Sequence, residues 1–600
     1  MKLALTVSNR LRAPSALFQI LGTVAAVIAS IFIVYQAPGE IRELSLSIRS
    51  SVVAPILFGG IGLLVFFSLG HAVGAFLGLA WTLVLFGLSL KALWLSGISE
   101  PSVVGGLLPW SDSLQYLSSA RELVLQGTID PAGSNRPIFP IVLACLLAIS
   151  DADLKITLAI FVSLNGACAF FLGKLVQKKY GLLSGVATVI ILFFFYRRFS
   201  GTLLTENIGF AFGILALIFL WIGTERKVFH IFLTGLFMMT LALLSRSGAF
   251  LCLPLLICFG WLTFLDRRKL FRNALIPCAI TVLVAALIPV SMVTLLGGEL
   301  GATNSNFGHV LYGQAVGGKG WTQVAQDYPD AAASEYTSLA LQHIQERPYD
   351  LVSGVFSSFR DYFHWNRGAF GYGFIRNVDS DPLHLHLRHA LYLLSFLGIG
   401  VLFKSWRLRE SRLLITLVAG ILISVPFIPP IDADGLRVYA ATIPINVILI
   451  GVALRSIVAV LHRLGFSVSR LQPSLMDHHP PLFIPTILSA MLVMFCSATP
   501  LVFSAWPSVM TLENNRLQGS NEDFFIVLAQ PNDSQSTNAP IVRPDDFRNG
   551  LNGLEQFPEL VNQLSRVPDG AKLYLAPRSE MSNALAFWIK PQDGPASPLN

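Results

Sequence analysis

The sequence predicts an all-α polytopic membrane bundle of about thirteen membrane-spanning helices, with extracytoplasmic loop helices and a small C-terminal α/β domain. Hydrophobic residues make up 54% of the 600 residues and charged residues only 13%, roughly half the charged fraction of a soluble protein. The apolar residues form long runs, and the basic residues form short clusters between them. Because one water-soluble core could not bury so much apolar surface, lipid is the expected solvent.

Each predicted span is an apolar run of the length that crosses a bilayer, which needs about twenty mostly apolar residues. The first run is too long for a cleavable signal peptide, so we expect it to be retained. The predicted spans are residues 16–35, 52–69, 72–95, 156–176, 181–199, 207–223, 228–244, 248–265, 273–296, 386–403, 412–429, 438–457 and 482–504. They form a membrane domain over residues 1–504.

The basic clusters predict the orientation of the spans, since short cytoplasmic loops carry an excess of Lys and Arg. With the N-terminus in the cytoplasm, alternation places the strong clusters on the cytoplasmic side, except for Arg197–Arg198. The agreeing clusters are Lys178–Lys179, Arg226–Lys227, Arg267–Arg272, Lys404–Arg412 and Arg455–Arg470. The sequence therefore predicts a multi-pass protein of the inner (plasma) membrane with an extracytoplasmic C-terminal domain.

Three predicted outer segments are long: residues 97–155, 297–385 and 505–600. Within the first, residues 137–155 hold an apolar run too short to span, which suits an interfacial or re-entrant helix. The second should fold over the membrane face, and the third should form the C-terminal domain. Their predicted elements are a helical stretch at Ala331–Trp365, a Gly-hinged platform at Phe307–Gly313 and Gly317–Trp321, strands at Phe524–Leu528 and Lys572–Leu575, and a helix at Leu551–Leu564.

Several polar residues at the predicted outer ends have both a structural and a functional interpretation. Asp112, Tyr116 and Ala120 share one helical face, since they lie at i, i+4 and i+8. Asp112 is either a helix cap or a functional carboxylate. Glu206 is either a first-turn charge favoured by the helix dipole, with Thr205 as cap, or a group that faces an outer cavity. Arg246 likewise either snorkels to the surface or serves a site.

The chain resembles the GT-C glycosyltransferases through three short motifs that follow one another on one side of the membrane. The motifs are Asp112-x-x-x-Tyr116-x-x-x-Ala120, Arg136-Pro137-x-x-Pro140 and Thr205-Glu206. Members of this family are polytopic enzymes that use polyprenyl-phosphate sugars, similar to the aminoarabinose and protein-mannosyl transferases. The resemblance covers residues 97–265 by motif and the remainder by topology. Three predicted spans precede the aspartate motif, where many relatives have one.

The resemblance implies a catalytic role for Asp112 and Glu206, with Asp112 as the general base. It implies substrate binding by Tyr116, Arg136, Arg246, Arg437 and Tyr439, with the arginines on the lipid phosphate. The expected reaction is inverting transfer of a sugar from a polyprenyl-phosphate donor to a hydroxyl or amine of a lipid, glycan or protein acceptor. Such a reaction needs a carboxylate to take a proton and cations to meet the growing phosphate charge.

Cofactors and nucleic acid are not expected partners. The Asp-x-Asp strings and the loop histidines are more typical of caps, turns and interface residues than of a metal site, so a divalent metal is not indicated. The net charge of +7 comes from the loop clusters, which is a pattern of membrane orientation and not of nucleic-acid binding. The residues concerned are Asp151, Asp153, Asp379, Asp381, Asp432, Asp434, His384, His386 and His389.

Two other functions stay open from the sequence. The first is a transporter or flippase of a lipid-linked or polar substrate. That function favours mid-span ionisable residues and inverted repeats, whereas most of the predicted spans lack central acidic residues and no repeat is visible. The second is a non-catalytic assembly protein whose outer segments bind a partner.

Overall fold

The structure is a computed structural model of the chain. It describes residues 41–69, 72–96, 102–104, 108–109, 112–150, 153–264, 274–299, 307–375, 382–428, 436–464 and 485–493, with short pieces at 24–26, 28–32, 572–574, 588–590 and 597–598. These residues are mostly helical, and their strands are two or three residues long. The predicted all-α membrane bundle is confirmed for these residues. In lipid, backbone N–H and C=O groups can form hydrogen bonds only with one another, which favours helices.

The helices follow one another along the chain in nineteen main pieces. They are α1 (Arg42–Ser50), α2 (Ile61–Ser68, after a π-helical turn Pro55–Gly60), α3 (Ala72–Ser96), α4 (Asp112–Gln126), α5 (Pro131–Asn135), α6 (Ile138–Ile149), α7 (Leu154–Tyr180), α8 (Leu182–Tyr196), α9 (Glu206–Arg226), α10 (Phe229–Ser245), α11 (Cys252–Phe264), α12 (Leu275–Leu295), α13 (Phe307–Ala315), α14 (Gln323–Asp327), α15 (Tyr336–Glu346), α16 (Pro348–Tyr362), α17 (Leu383–Lys404), α18 (Arg409–Ser424) and α19 (Ile443–Arg463). Short 3-10 turns lie at Ala333–Glu335, Val425–Phe427 and Arg437–Tyr439.

Seven of the described helices are long and apolar enough to cross a bilayer, namely α3, α7, α9, α12, α17, α18 and α19. A bent pair, α1 with residues 55–68, passes the same test as an eighth candidate and bends by 97°. The shorter apolar helices α8, α10 and α11 coincide with predicted spans. The predicted spans 16–35 and 482–504 lie largely outside the described residues.

Helix α6 corresponds to the short apolar run for which an interfacial or re-entrant helix is predicted. Its twelve residues cover about 18 Å, which is too short to cross a bilayer. Most of its side chains are buried in protein. The ring of Phe139 stacks on Phe161 of α7 at 5.7 Å and meets Tyr116 of α4 edge-on at 5.3 Å, measured between centroids. The helix therefore fixes α4 against the bundle.

Polar side chains gather at the two ends of the bundle. At one end, Lys179 of α7 pairs with Glu225 of α9 at 2.9 Å and with Glu410 of α18 at 2.7 Å. The opposite end holds the start of α9, the end of α10 and the turn before α19, where Glu206, Arg246 and Arg437 meet. The predicted cytoplasmic and outer residues thus lie at different ends of the same helices.

Arg197, part of the discordant basic pair, is a buried structural residue. Its Nη1 donates hydrogen bonds to the carbonyl oxygens of Ile48 at 3.3 Å and Ser51 at 2.6 Å. Its guanidinium lies 4.8 Å from the ring centroid of Phe194. The last carbonyls of a helix such as α1 lack intrahelical partners and favour a cation. Packing therefore accounts for a charge that does not follow the orientation rule.

Replacing Arg197 with methionine should lower the free energy of unfolding by about 1–3 kcal/mol, because two carbonyl oxygens lose their charged donor. Thermal unfolding of the purified protein in detergent measures this change. Arg463→Met is the matched control, since Arg463 is exposed at the end of α19, and its expected effect is within about 0.5 kcal/mol. Equal losses in the two variants would rule out the role of Arg197 as a cap.

The long segment 297–385, predicted to be an outer one, folds into α13, α14, α15 and α16 over its described residues. It has a small core of its own, formed by Tyr312, Ala315, Val316, Val324, Tyr336 and Ala340. The predicted helical stretch Ala331–Trp365 is broken into α15 and α16. Pro348 starts α16, and proline both lacks a backbone donor and is favoured at the first helical position.

The predicted Gly-hinged platform needs a correction. Its first half, Phe307–Gly313, lies inside α13 and is not a loop. Its second half is a turn in which Gly317, Gly318 and Gly320 have φ values of 91°, 79° and 99°, a region that favours glycine. A Cβ at Gly318 would lie 3.2 Å from the Cα of Gly354 in α16. Gly318 therefore serves close packing of this turn on α16.

Five short strands complete the described elements. β1 (Val103–Val104) pairs antiparallel with β2 (Leu108–Pro109) before α4. β3 (Lys572–Tyr574), β4 (Trp588–Lys590) and β5 (Ser597–Pro598) form an antiparallel sheet in that order. β3 coincides with the predicted strand at 572–575. The other predicted elements of the C-terminal domain, at 524–528 and 551–564, lie outside the described residues.

Candidate functional site

Glu206 is the buried centre of a network of charged side chains. It is the first residue of α9, where the helix dipole favours a carboxylate. Its side chain is 0% exposed. A buried carboxylate is stable only when it is paired, and Glu206 Oε1 lies 2.6 Å from Arg437 Nε and 3.3 Å from Arg246 Nε. The predicted outer residues Glu206, Arg246 and Arg437 are therefore brought together.

Arg437 connects this buried carboxylate to the surface. Its Nη2 donates to Asp112 Oδ2 at 2.9 Å, while its Nε donates to Glu206. The exposed fraction of the side chain is 45% for Asp112 and 14% for Arg437. Accessibility thus falls steadily from Asp112 through Arg437 to Glu206. Asp112 is the half-exposed member of this row, where an incoming molecule can reach a carboxylate oxygen.

Arg246 occupies the C-cap position of α10, where the helix dipole favours a cation. Its Nε also lies 3.4 Å from the backbone carbonyl of Arg437. Burial lowers the pKa of Arg246 to about 10, against the opposing effect of Glu206. Burial also works against the charge of Arg437, but Glu206 and Asp112 outweigh it and raise the pKa of Arg437. Both guanidinium groups therefore stay charged at neutral pH.

Tyr116 and Arg136 lie next to this network. Tyr116 is buried on the same face of α4 as Ala120, as their spacing predicts, while Asp112 is half-exposed at the start of that helix. Arg136 Nη1 lies 3.5 Å from the hydroxyl oxygen of Tyr116. Both residues act electrostatically on Arg246. The described residues of the site therefore include three guanidinium groups and two carboxylates, so the network and its neighbours carry a net positive charge.

Two glycines that sequence reasoning missed let Arg246 and the backbone of Ala441 approach helix α9. Gly209 and Gly213 follow Glu206 at i+3 and i+7, so all three share one face of α9. A Cβ at Gly209 would lie 2.9 Å from the Cβ of Arg246, and one at Gly213 would lie 2.1 Å from the carbonyl oxygen of Ala441. The regular spacing from Glu206 was a readable signal of a closely packed helix face.

Ser113 and Asn207 are further positioning residues that the sequence analysis missed. Ser113 is fully buried, and its hydroxyl accepts a hydrogen bond from the backbone N–H of Leu203 at 3.2 Å. Asn207 Nδ2 donates to the carbonyl oxygens of Thr202 at 2.8 Å and Leu204 at 3.1 Å. These bonds hold the loop before α9 and join it to the first turn of α4. Asp112 and Glu206 are thereby fixed on adjacent elements.

Thr205 does not form its predicted capping bond, and Tyr439 lies behind the network. Thr205 occupies the N-cap position of α9 without a side-chain capping bond, and its hydroxyl lies 3.4 Å from Glu206 Oε2. Tyr439 is fully buried, and its hydroxyl donates to the carbonyl oxygen of Ile428 at 3.1 Å. Its ring packs 5.3 Å from that of Tyr362, between centroids. These contacts show Tyr439 as a core residue behind the site, and its role in substrate binding stays a prediction.

Within the part of the chain that the structure describes, no group of three His, Cys, Asp or Glu side chains could hold a metal ion. Asp153 caps α7, since its carboxylate accepts a hydrogen bond from the backbone N–H of Ile156 at 3.0 Å. His389 stacks on Trp365 at 4.5 Å. The other members of the Asp-x-Asp strings, Asp151, Asp379, Asp381, Asp432 and Asp434, lie outside the described residues.

No protein-family model matches the chain, and no curated protein matches it. The functional conclusion therefore depends on the geometry of the charged network and on the motifs that supply its members.

Proposed function

We propose that the protein is an inverting glycosyltransferase that moves a sugar from a polyprenyl-phosphate donor to an acceptor hydroxyl or amine. The observation that carries this proposal is the half-exposed carboxylate of Asp112, held by Arg437 beside an excess of guanidinium groups. One carboxylate is enough to take the acceptor proton in a single displacement. The guanidinium groups suit a phosphate, because arginine forms strong bidentate hydrogen bonds with it.

In this reaction the acceptor oxygen or nitrogen forms a bond to the anomeric carbon while the bond from that carbon to the phosphate oxygen breaks. The acceptor proton goes to Asp112, and the electron pair of the broken bond stays on the polyprenyl phosphate. Cations placed where this charge grows lower the barrier. We assign that task to Arg136, Arg246 and Arg437, and a positioning role to Glu206, because its carboxylate is buried between two guanidinium groups.

We further propose about thirteen spans in an inner (plasma) membrane, with a cytoplasmic N-terminus, an outer site and an extracytoplasmic C-terminal domain. The basic loop clusters support this orientation, since such clusters favour the cytoplasmic side. The separation of the two polar ends of the bundle supports it as well. Lys179 and its partners lie at the end proposed to be cytoplasmic, and Arg437 and its partners lie at the other. The acceptor is then a lipid, glycan or protein reached from outside.

The proposal is tested by incubating the purified protein in nanodiscs with a labelled polyprenyl-phosphate sugar and cell-envelope acceptors. We expect covalent transfer of the label, release of polyprenyl phosphate and an inverted anomeric configuration in the product, read by NMR. Retained configuration would contradict the single displacement. In sealed proteoliposomes, movement of intact donor across the bilayer without any covalent product would favour a transporter or flippase instead.

A further inference from the structure

The outer face of α16 carries large apolar side chains that the fold leaves uncovered. Tyr349 is 85% exposed, Val352 51% and Phe356 71%. With Ser353 and Arg360 they lie at i, i+3, i+4, i+7 and i+11, which is one stripe of a helix. A helix that faces water turns its apolar stripe to the core and polar residues outward. We therefore expect the exposed stripe of α16 to meet an apolar environment outside the protein.

The C-terminal end of α16 is anchored beside the outer turns of a spanning helix. Phe363, directly after α16, lies 6.4 Å from Phe396 of α17 between ring centroids, and Phe370 lies 5.0 Å from Phe396. Phe396 belongs to the exposed apolar surface of α17, with Leu393 at 68% and Leu397 at 44%. Since α17 is a candidate membrane span, this surface faces lipid, and α16 ends next to it.

The depth of this anchor matches the interface of a bilayer. The first turns of α17 carry His384, His386, Arg388 and His389, and its mainly apolar, uncharged part begins at Ala390. Phe396 lies six residues further, about 9 Å along the helix. Interfacial amphipathic helices bury their apolar faces about 5–10 Å into the boundary between headgroups and acyl chains. The end of α16 is thus held at the depth where such helices lie.

The charges on α16 fit phospholipid headgroups. Arg360 is the charged residue of the exposed stripe, and its side chain is 70% exposed. Asp350 lies 3.0 Å from His343. Asp361 lies 3.0 Å from Arg367 and 3.8 Å from Arg360 Nε, so it faces two guanidinium groups and leaves the mostly exposed Arg360 only partly neutralised. An apolar face with arginine at its edge can bury its side chains in lipid while the guanidinium reaches a phosphate.

We propose that α16 lies in the membrane interface on the side of the candidate site, with Tyr349, Val352 and Phe356 among lipid acyl chains and Arg360 at the lipid phosphates. This inference does not depend on the proposed reaction. It has a consequence for the site, because Tyr362 at the end of α16 packs on Tyr439, two residues after Arg437. Lipid bound by α16 would therefore hold Tyr362, and the turn of Arg437 and Tyr439 on which it packs, at the depth of the headgroups.

Spin labelling tests this placement on the full chain in nanodiscs of phosphatidylethanolamine and phosphatidylglycerol. A nitroxide is attached at Phe356→Cys and, as matched control, at Gln342→Cys on the exposed polar side of α15. Wild-type protein taken through the same labelling measures the background of the native cysteines. We expect oxygen to collide with the label at position 356 more often than a water-soluble nickel chelate does, and the reverse at position 342.

Two results would overturn the proposal. Preferential collision with the nickel chelate at both positions would place α16 in water. Low collision rates with both reagents at position 356 would show that a protein surface, either a second copy or another partner, covers the stripe. Val352→Cys is the second reporter of the same stripe and should give the same sign as Phe356→Cys. Opposite signs at these two positions would also overturn the proposal.

Discussion

Replacing Asp112 with asparagine should lower the rate of sugar transfer by about 100- to 10,000-fold, the range that a positioned general base contributes. The amide keeps an oxygen that accepts the hydrogen bond from Arg437 Nη2, now 2.9 Å from Asp112 Oδ2. It does not take up the acceptor proton. The site geometry should therefore survive while the chemical step is lost. The initial rate of product formation from a labelled donor, at equal amounts of inserted protein, measures the effect.

Asp130→Asn is the matched control for this substitution. Asp130 is a carboxylate of the same predicted outer segment, but it caps α5 by accepting a hydrogen bond from the backbone N–H of Gly133 at 2.8 Å. Asparagine caps helices about as well as aspartate, so we expect this variant to transfer sugar at close to the wild-type rate. A wild-type rate for Asp112→Asn, in a protein as stably inserted as the control, would refute the assignment of Asp112 as the base.

Replacing Glu206 with glutamine should lower the free energy of unfolding by about 3–5 kcal/mol, the cost of leaving a buried charge without its partner. Glu206 is 0% exposed and is the shared counter-charge of Arg246 and Arg437. The two guanidinium groups would then repel each other in a buried site. Thermal unfolding in nanodiscs and the yield of folded protein measure the loss. Transfer activity should fall with it, since Arg437 would no longer be held beside Asp112.

Glu225→Gln is the control at the opposite end of the bundle. Its carboxylate pairs with Lys179 at 2.9 Å, and its side chain is 37% exposed. Exposed ion pairs contribute roughly 0–1 kcal/mol, so the loss should be several-fold smaller than for Glu206→Gln. Similar losses in the two variants would mean that the buried network does not contribute to stability as we expect.

The members of the charged network were largely predictable, and their contacts were not. Asp112, Glu206 and Arg246 stand at predicted outer ends, where charged residues in apolar surroundings point to a site. Arg437 was predicted by resemblance alone, yet it forms the bridge between the two carboxylates. Gly213 was missed. It lets the backbone of Ala441 pack closely on α9, and no sequence pattern indicates which segment packs against a glycine.

Two departures from the local sequence pattern have similar physical causes. Arg197 does not fit the orientation that the other basic clusters predict, and it donates to the carbonyl of Ile48, 149 residues away. Phe307–Gly313 looks like a glycine hinge, but its residues form helix α13 and pack on α15 around Tyr312 and Tyr336. In both places a tertiary contact outweighs the local preference of the residue type.

The sequence by itself determined the class of the fold and the end of the bundle at which the polar chemistry lies. Lipid offers backbone groups no partner, so long apolar runs must be helices of spanning length. Only the tertiary structure decided that Arg437 reaches Asp112, 325 residues away, across the buried Glu206. Helix α9 is apolar on all sides, and its apolar stretch is entirely buried in the protein. The spacing of Gly209 and Gly213 marks a closely packed face of α9, but a helix that is apolar all round carries no signal of which neighbour that face meets. The partners of Glu206 therefore follow from packing alone.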